Sequence, residues 1–588
     1  MKALWLTVCL LLACGVSAQP ATKPAPRPNV LVLLADDQGW GDLSLHGNAD
    51  LSTPHIDSLA RAGASFDRFY VQPVCSPTRA EFLTGRYHPR CGIRGVSTGD
   101  ERLDLDERTV ADAFTAAGYR TACLGKWHNG TQYPYHPNGR GFGEFYGFTS
   151  GHWGDYFSPP LDHNGRTVTG RGFLADDLTD RAIEFIQQRS DQPFFCFLAF
   201  NTPHSPMQVP EPYWARFKDK PLTQLRRGAT AEAIQHTRAA LAMCENLDHN
   251  VGRVLRALDE RGLAGDTIVV YFSDNGPNGA RWNGGMKGQK GTTDEGGVRS
   301  PLMVRFPRVI QPGAVVRPIA GAIDLLPTLS ELAGVKHAGV KPLDGVSLAP
   351  LLRGERVDAP QRVLFQHRAG MVSARSATHR LDAAGKLYDM VADPGQTTDV
   401  RQRQPEVARE LSDAVDRWRR EVLGELGPRD DRPFPVGDKR FPITQLPARD
   451  GEAHGAIRRS AAAPNCSYFT GWDRPGDHIT WGVEVLTSGR YRVEVLYACS
   501  QKNVGVTLEL SLGETKLSGP VTVAHEPPAR GAENDRAPRK ESLVKDFKPW
   551  VLGEVRLEAG RGTLKLAAPA MPGGGAVEVR GLVLTLLE

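Results

Sequence analysis

Val30-Leu31-Val32-Leu33-Leu34, continued by Ala35-Asp36-Asp37, is an unbroken apolar run that ends abruptly in two carboxylates. A run without alternation marks a strand buried on both faces, as in the middle of a parallel sheet. The arrangement recurs three times. Arg120 to Leu124 leads to Lys126 and His128, Phe194 to Phe200 leads to Asn201-Thr202-Pro203-His204, and Thr267 to Phe272 leads to Ser273-Asp274-Asn275-Gly276. Helical patterns separate these runs: Thr53-Pro54 opens one that reaches Ala62, and others cover Thr109 to Ala117, Asp176 to Gln188 and about Ala229 to Glu260. The alternation predicts an α/β fold whose mixed, mostly parallel central sheet is flanked by helices. In open α/β sheets ligands bind beyond the carboxyl ends of the strands, so Asp36, Asp37, Lys126, His128, His204, Asp274 and Asn275 are expected on one rim. Each alone reads as a solvated strand end; together they read as a site.

The stretch they serve is Val74-Cys75-Ser76-Pro77-Thr78-Arg79, continued by Ala80-Glu81-Phe82-Leu83-Thr84-Gly85-Arg86. Ser76 and Pro77 are expected as the N-cap and first residue of a helix that stops near Gly85, which sets Cys75 where unpaired N–H groups favour negative charge. Arg79 follows one turn later, on a face from which it can hold Cys75 or an anion. The bland alternative is an inert buried cysteine.

Asp36, Asp37, Asp274 and Asn275 form an all-oxygen donor set, suited to a hard divalent cation such as Ca²⁺ or Mg²⁺ rather than zinc. Arg79, Lys126 and Lys290 add positive charge, and His128 and His204 add imidazoles. A metal ringed by cations fits sulfuryl or phosphoryl transfer.

These residues resemble the sulfatase family, within the alkaline-phosphatase-like superfamily. The resemblance rests on Cys75-Ser76-Pro77-Thr78-Arg79, Leu83-Thr84-Gly85-Arg86, Gly125-Lys126-Trp127-His128, Thr202-Pro203-His204, Ser273-Asp274-Asn275-Gly276 and Lys290-Gly291-Thr292-Thr293-Asp294-Glu295-Gly296-Gly297, in the family's order and spanning about Pro28 to Leu423. It implies that a separate maturation enzyme oxidises Cys75 to formylglycine. The hydrated aldehyde, on one Ca²⁺ (Mg²⁺ as the alternative) held by Asp36, Asp37, Asp274 and Asn275, would attack sulfur in line, and its second hydroxyl would later expel sulfate. Asp274 would help deprotonate the nucleophile. Arg79 would orient the formylglycine, Lys126 contact sulfate and His128 support the nucleophilic centre. His204 and Lys290 would meet the bridging oxygen, with His204 as general acid. Asn129, Gln289 and Asp294 depart from the family pattern, beside the residues that would meet the leaving alcohol. Asn129-Gly130-Thr131 also fits a glycosylation sequon, read as chance because a glycan would block the rim. The expected reaction is hydrolysis of a sulfate ester on a small molecule or, more specifically, a carbohydrate. Its rivals are a formylglycine phosphodiester or phosphonate hydrolase and a non-catalytic glycan-binding protein. Gly151-His152-Trp153-Gly154-Asp155-Tyr156 offers a sugar an aromatic wall, or is a plain structural loop.

The 588 residues exceed what one core usually supports. With 71 Lys and Arg against 67 Asp and Glu, the net charge of +4 argues against nucleic acid as a partner. Lys2, the apolar run Ala3 to Ala13 and Val16-Ser17-Ala18 form a secretory leader over 1–18, which makes the protein periplasmic or secreted; acylation of Cys14 as a lipoprotein is the minority reading. No later apolar run is long enough to span a bilayer. A Pro-rich tether covers 19–27, and the catalytic region covers 28–426, its last part from about 335 forming a small subdomain. The stretch 427–455, rich in Pro, Gly and charge, is expected as a linker. Over 456–588 the period changes to two, which predicts a separate β-sandwich that could carry sugar-binding aromatics such as Trp472, Trp481 and Trp550. Pairing cannot be deduced from the cysteine spacing, and Cys466 with Cys499 is a disulfide candidate.

Overall fold

The computed structural model describes residues 27–226, 231–355 and 361–587. The expected leader, with Cys14, and the tether over 19–26 lie outside them. A ten-stranded sheet forms the centre. Its middle strands, Thr267–Ser273, Asn29–Ala35, Phe194–Ala199, Arg120–Lys126 and Glu144–Phe148, run parallel in that order. Antiparallel strands lie to either side, Leu302–Arg305 on one and the Pro160–His163 and Arg166–Thr169 hairpin on the other. The unbroken apolar runs are explained by two cores. Leu31, Leu33 and Leu198 pack under the Leu174–Gln187 and Ala231–Glu260 helices, whereas Val30, Val32, Phe195 and Phe197 pack under Phe82, Phe114 and Leu326. Every residue of the Cys75–Thr84 helix is buried, which is why its sequence shows no amphipathic stripe. No described helix is long and apolar enough to cross a membrane.

That helix begins two residues earlier than expected. Val74, extended at φ −146° and ψ 161°, is its N-cap, so Cys75 rather than Pro77 is the first helical residue. Ser76 is not free to cap, because its hydroxyl accepts from Asn129 Nδ2 at 3.2 Å. Asn129 is itself buried, leaving no room for a glycan at the sequon. Gly85 closes the helix at φ 69°.

A four-stranded antiparallel sheet, Leu364–Arg368 to Leu387–Asp389, packs with the Pro405–Glu421 helix as the small subdomain. It reaches the Cys75 helix through polar groups. Glu81 Oε1 takes the His88 ring nitrogen Nδ1 at 2.9 Å, and His88 Nε2 meets His367 Nδ1 at 3.2 Å. Burial lowers His88 and His367 to about 3 and raises Glu81 well above the carboxylate range, so the contact is between neutral groups. The sign follows: below about pH 6.5 the unfolded chain binds protons at these histidines that the folded chain refuses. Stability from this pair is complete above that pH and is lost as pH falls toward 3. In denaturant titrations His367→Gln should therefore shrink the stability lost between pH 7 and pH 5 by about 2 kcal/mol, from 1.36 kcal/mol per pKa unit over 1.5 units.

The C-terminal part is a β-sandwich of two six-stranded sheets. The linker expectation fails for most of 427–455. Phe434–Val436 pairs with Val483–Val485, Ile443–Pro447 with Gly581–Thr585, and Glu452–His454 with His478–Thr480. These strands are three to five residues long and broken by Pro and Gly, too short to show a period; burial of Phe434, Val436 and Leu446 decides them. Trp472 and Trp481 lie in the sandwich core, with Trp550 packed at its edge, so the two buried indoles offer no platform to a sugar. Cys466 and Cys499 are both free and buried, which removes the proposed disulfide. Nor is the sandwich detached: Tyr133 stacks on Phe441, Gln132 donates to Gln445 and Asp450, and Arg449 lies 3.5 Å from Glu101.

Candidate active site

The carboxyl ends of the four central strands meet the N-terminus of the Cys75 helix. One ligand atom from each of Asp36, Asp37, Cys75 and His204 lies within 4.8 Å of the others, and all four residues are buried. Asp37 adopts φ 67°, a left-handed conformation that turns its side chain off the strand end. Its carbonyl accepts from Arg281 Nη2 at 2.7 Å, and Arg281 is pinned by Asp42.

Cations sit directly on these carboxylates. Lys126 Nζ donates to both oxygens of Asp36 at 2.9 and 2.7 Å, and Lys290 Nζ lies 2.6 Å from Asp37 Oδ1. Arg79, fully buried, donates Nε and Nη2 to Asp274 Oδ2 at 3.1 and 2.8 Å and Nη1 to the Lys126 carbonyl at 2.7 Å. Arg79 thus holds Asp274 and Lys126. Asp274 Oδ1 accepts the Asp37 amide at 3.2 Å, and Asn275 Nδ2 donates to Asp37 Oδ1 at 2.8 Å.

Burial would raise Asp37, but His204, Lys290 and Lys126 hold it below the usual carboxylate range. Burial and the Asp36 charge instead push Asp274 up to about 6, despite Arg79. The Cys75 thiol is driven up to about 12 by burial, against Lys126 and Lys290, so it is no thiolate at neutral pH.

His204 turns Nδ1 to the Ser205 carbonyl at 2.6 Å and Nε2 toward Asp37 Oδ2 at 3.6 Å. His128, at φ 67°, places Nε2 2.8 Å from the Val96 carbonyl, and its buried Nδ1 has no partner. Burial lowers both imidazoles below their ordinary range, aided at His128 by Lys126 and opposed at His204 by Asp37.

The donor set fits a hard cation on the evidence of this structure alone. Asn275 Oδ1 is buried and lacks any hydrogen-bond partner while its amide nitrogen is bound to Asp37. An orphaned amide oxygen among three carboxylates is what a Ca²⁺ or Mg²⁺ would satisfy. With Asp36, Asp37 and Asp274 offset by Arg79, Lys126 and Lys290, an added divalent cation leaves the rim positive, ready for an anionic ester.

The named rim residues therefore converge, joined by several that motif reading missed. His152, named in the sequence only within a loop, stacks on His204 with ring centroids 5.7 Å apart, and its Nε2 is buried without a partner. Tyr156 donates to the carbonyls of His204 and Ser205 at 3.1 and 2.9 Å. Asn201 is buried with neither side-chain polar atom paired. Asn201 was visible as a polar residue at a strand end; Arg281 and its partner Asp42 carry no local signal.

A family model described as sulfatase matches residues 28–335. Mouse steryl-sulfatase is 30% identical over 556 residues, covering 71% of this chain and 86% of the relative. Bovine arylsulfatase A is 33% identical over 442 residues, covering 67% and 81%, and canine N-acetylgalactosamine-6-sulfatase 31% over 407, covering 63% and 73%. Among solved structures, Ps i-CgsB in complex with k-i-k-neocarrahexaose superposes with a TM-score of 0.60 at 29% identity, covering 67% of this chain and 93% of that one. The phosphonate monoester hydrolase of Agrobacterium radiobacter shares the fold, with a TM-score of 0.54 at 22% identity over 68% and 96%.

Proposed function

Since this chain belongs to the sulfatase family and is a sulfuric ester hydrolase, we propose that it cleaves a sulfate ester on a carbohydrate after export, using a formylglycine made from Cys75 by a maturation enzyme. The observation that carries this reading is the state of Cys75. A thiol that burial keeps protonated, set amid three carboxylates and three cations, is a poor nucleophile as it stands. Asp36, Asp37, Asp274 and Asn275 would hold the cation, Ca²⁺ by preference for an all-oxygen set, with the matured Cys75 side chain completing it. The cation would offset the charge that builds on the sulfuryl group, and the matured side chain would supply an oxygen nucleophile.

The chain's own groups account for the rest. Lys126 and Lys290 bring fixed positive charge to the sulfate oxygens. Arg79 keeps Asp274 oriented through Nε and Nη2, which places its carboxylate to take the nucleophile's proton. Because His204 Nδ1 donates to the Ser205 carbonyl, Nε2 is the nitrogen that faces the departing oxygen, and it gives up a proton there as the imidazolium, the form that the Asp37 carboxylate favours against burial. His128 lines the nucleophilic side with its unpartnered Nδ1. The carbohydrate assignment draws on N-acetylgalactosamine-6-sulfatase, a sugar sulfatase by name, and on the neocarrahexaose in complex with Ps i-CgsB, and export on the leader-like N-terminus.

The test compares initial rates on 4-nitrophenyl sulfate and a panel of sulfated mono- and disaccharides with those on bis(4-nitrophenyl) phosphate and phenylphosphonate esters. Preferential sulfate release is expected; preferential turnover of the phosphorus esters would transfer the site to phosphodiester or phosphonate chemistry.

A further inference from the structure

The loop that joins the sandwich strands Thr515–Pro520 and Lys548–Leu557 is long and holds only one short 3-10 turn, Ala532–Asn534, between two sheet strands. Loops of such length usually have a use. This one is fastened to both chain segments that flank His204. Arg539 Nη1 donates to the Gly154 carbonyl at 2.7 Å, and Arg530 pairs with Asp155 at 3.3 Å. On the other segment, Gln208 Nε2 donates to the Gly531 carbonyl at 2.7 Å and the Arg536 amide to the Met207 carbonyl at 2.8 Å.

Two sandwich side chains go further and reach the His204 neighbourhood from opposite directions. Glu541 Oε1 accepts from Ser205 Oγ at 2.5 Å, and the carbonyl of that same Ser205 receives His204 Nδ1. Asn278 Nδ2 also donates to Ser205 Oγ, at 3.3 Å. From the other direction Asn465 Nδ2 lies 3.3 Å from His152 Nδ1, and the His152 ring stacks on His204 at 24° between planes. Asn465 is itself fixed, accepting from Ser97 Oγ at 3.1 Å. One sandwich residue thus holds the hydroxyl of Ser205, whose carbonyl accepts from the His204 ring, and another holds the ring that His204 stacks on.

Resting on the reading of His204 as the group that protonates the departing alcohol, we propose that Glu541 and Asn465 are positioning residues for it, and that the sandwich is thereby part of the catalytic unit rather than an appended module. A proton donor must lie within hydrogen-bond reach of its acceptor, and small misplacements are costly. The cost falls on esters that need the proton. A sulfate ester of a good leaving group, such as 4-nitrophenol, departs as the anion and needs little help, whereas phenol and sugar alcohols need more.

The full-length, matured enzyme is compared with Glu541→Ala, Glu541→Gln and Asn465→Ala on 4-nitrophenyl sulfate and phenyl sulfate, each variant's melting temperature being recorded alongside. Glu541→Ala and Asn465→Ala are expected to lower kcat on phenyl sulfate by about 30-fold or more, a partial loss of the roughly 10²- to 10⁴-fold that a general acid contributes, and on 4-nitrophenyl sulfate by less than about 3-fold, with KM nearly unchanged. Glu541→Gln, which can still accept from Ser205, should restore most of the lost rate. Equal losses on both esters, a change confined to KM, or no change would overturn the proposal. A wild-type enzyme that turns over neither sulfate ester but cleaves bis(4-nitrophenyl) phosphate would instead remove the sulfatase reading on which it rests.

Discussion

Replacement of Cys75 by alanine is expected to lower kcat on sulfate esters by about 10⁴-fold or more, the scale seen when an enzyme loses its nucleophile. The change should leave the fold standing. Cys75 is the first residue of a ten-residue helix that carries nine further buried side chains and is closed by Gly85, so losing one small sulfur there costs about 1 kcal/mol. The paired measurement is mass spectrometry of the tryptic peptide Phe69 to Arg79 from protein made in its native host. An aldehyde in place of the thiol is the expected result for the wild type. An unmodified thiol in fully active protein would end the formylglycine mechanism.

Asp37→Asn should produce the second large effect, on both activity and metal response. Asparagine is among the few residues that tolerate the φ of 67° found here, so the backbone and the Arg281 contact with its carbonyl can persist while the charge is lost. What disappears is the anion that faces Lys290, His204 and Asn275 at once. After chelation, addition of Ca²⁺ at about 100 times its Kd should stabilise the wild type by about 2.7 kcal/mol, read as a rise in melting temperature. The variant should show no such rise and should lose at least about 100-fold in kcat, since even partners of metal ligands are worth 10- to 100-fold. A variant that still responds to Ca²⁺ as the wild type does would exclude Asp37 from the metal site.

Much of the catalytic half was legible in the chain because its signals are local. An apolar run that ends in Asp36-Asp37 or Asp274-Asn275 reports a doubly buried strand and the residues that it delivers, whatever the distant chain does. Gly85 after a helical run likewise predicts its own left-handed conformation. Where the outcome depends on distant partners the sequence is silent. Ser76 looked like a cap, but Asn129, far along the chain, occupies its hydroxyl. Phe434–Val436 and Ile443–Pro447 looked like a linker because their pairing partners lie some fifty and some hundred and forty residues later, at Val483–Val485 and Gly581–Thr585. Glu541 and Asn465 could not be chosen from among the polar residues of the sandwich, since nothing near them in sequence records that they reach His204's neighbours.

The complete burial of the Cys75 helix also bears on the order of events in the protein's life. With Ser76, Thr78 and Arg79 inaccessible, the helix packed under the Leu325–Ala333 helix and Glu81 tied through His88 to His367 of the small subdomain, an enzyme that recognised the segment from Cys75 to Arg79 would find no peptide to grip once the chain had folded. On the proposed mechanism, alteration of Cys75 would therefore happen on the nascent or still-extended chain, in competition with folding itself. A chain that folded first would be locked in the thiol form, so the yield of active protein would be set by the relative speeds of modification and collapse, and slower folding, not tighter folding, would raise it.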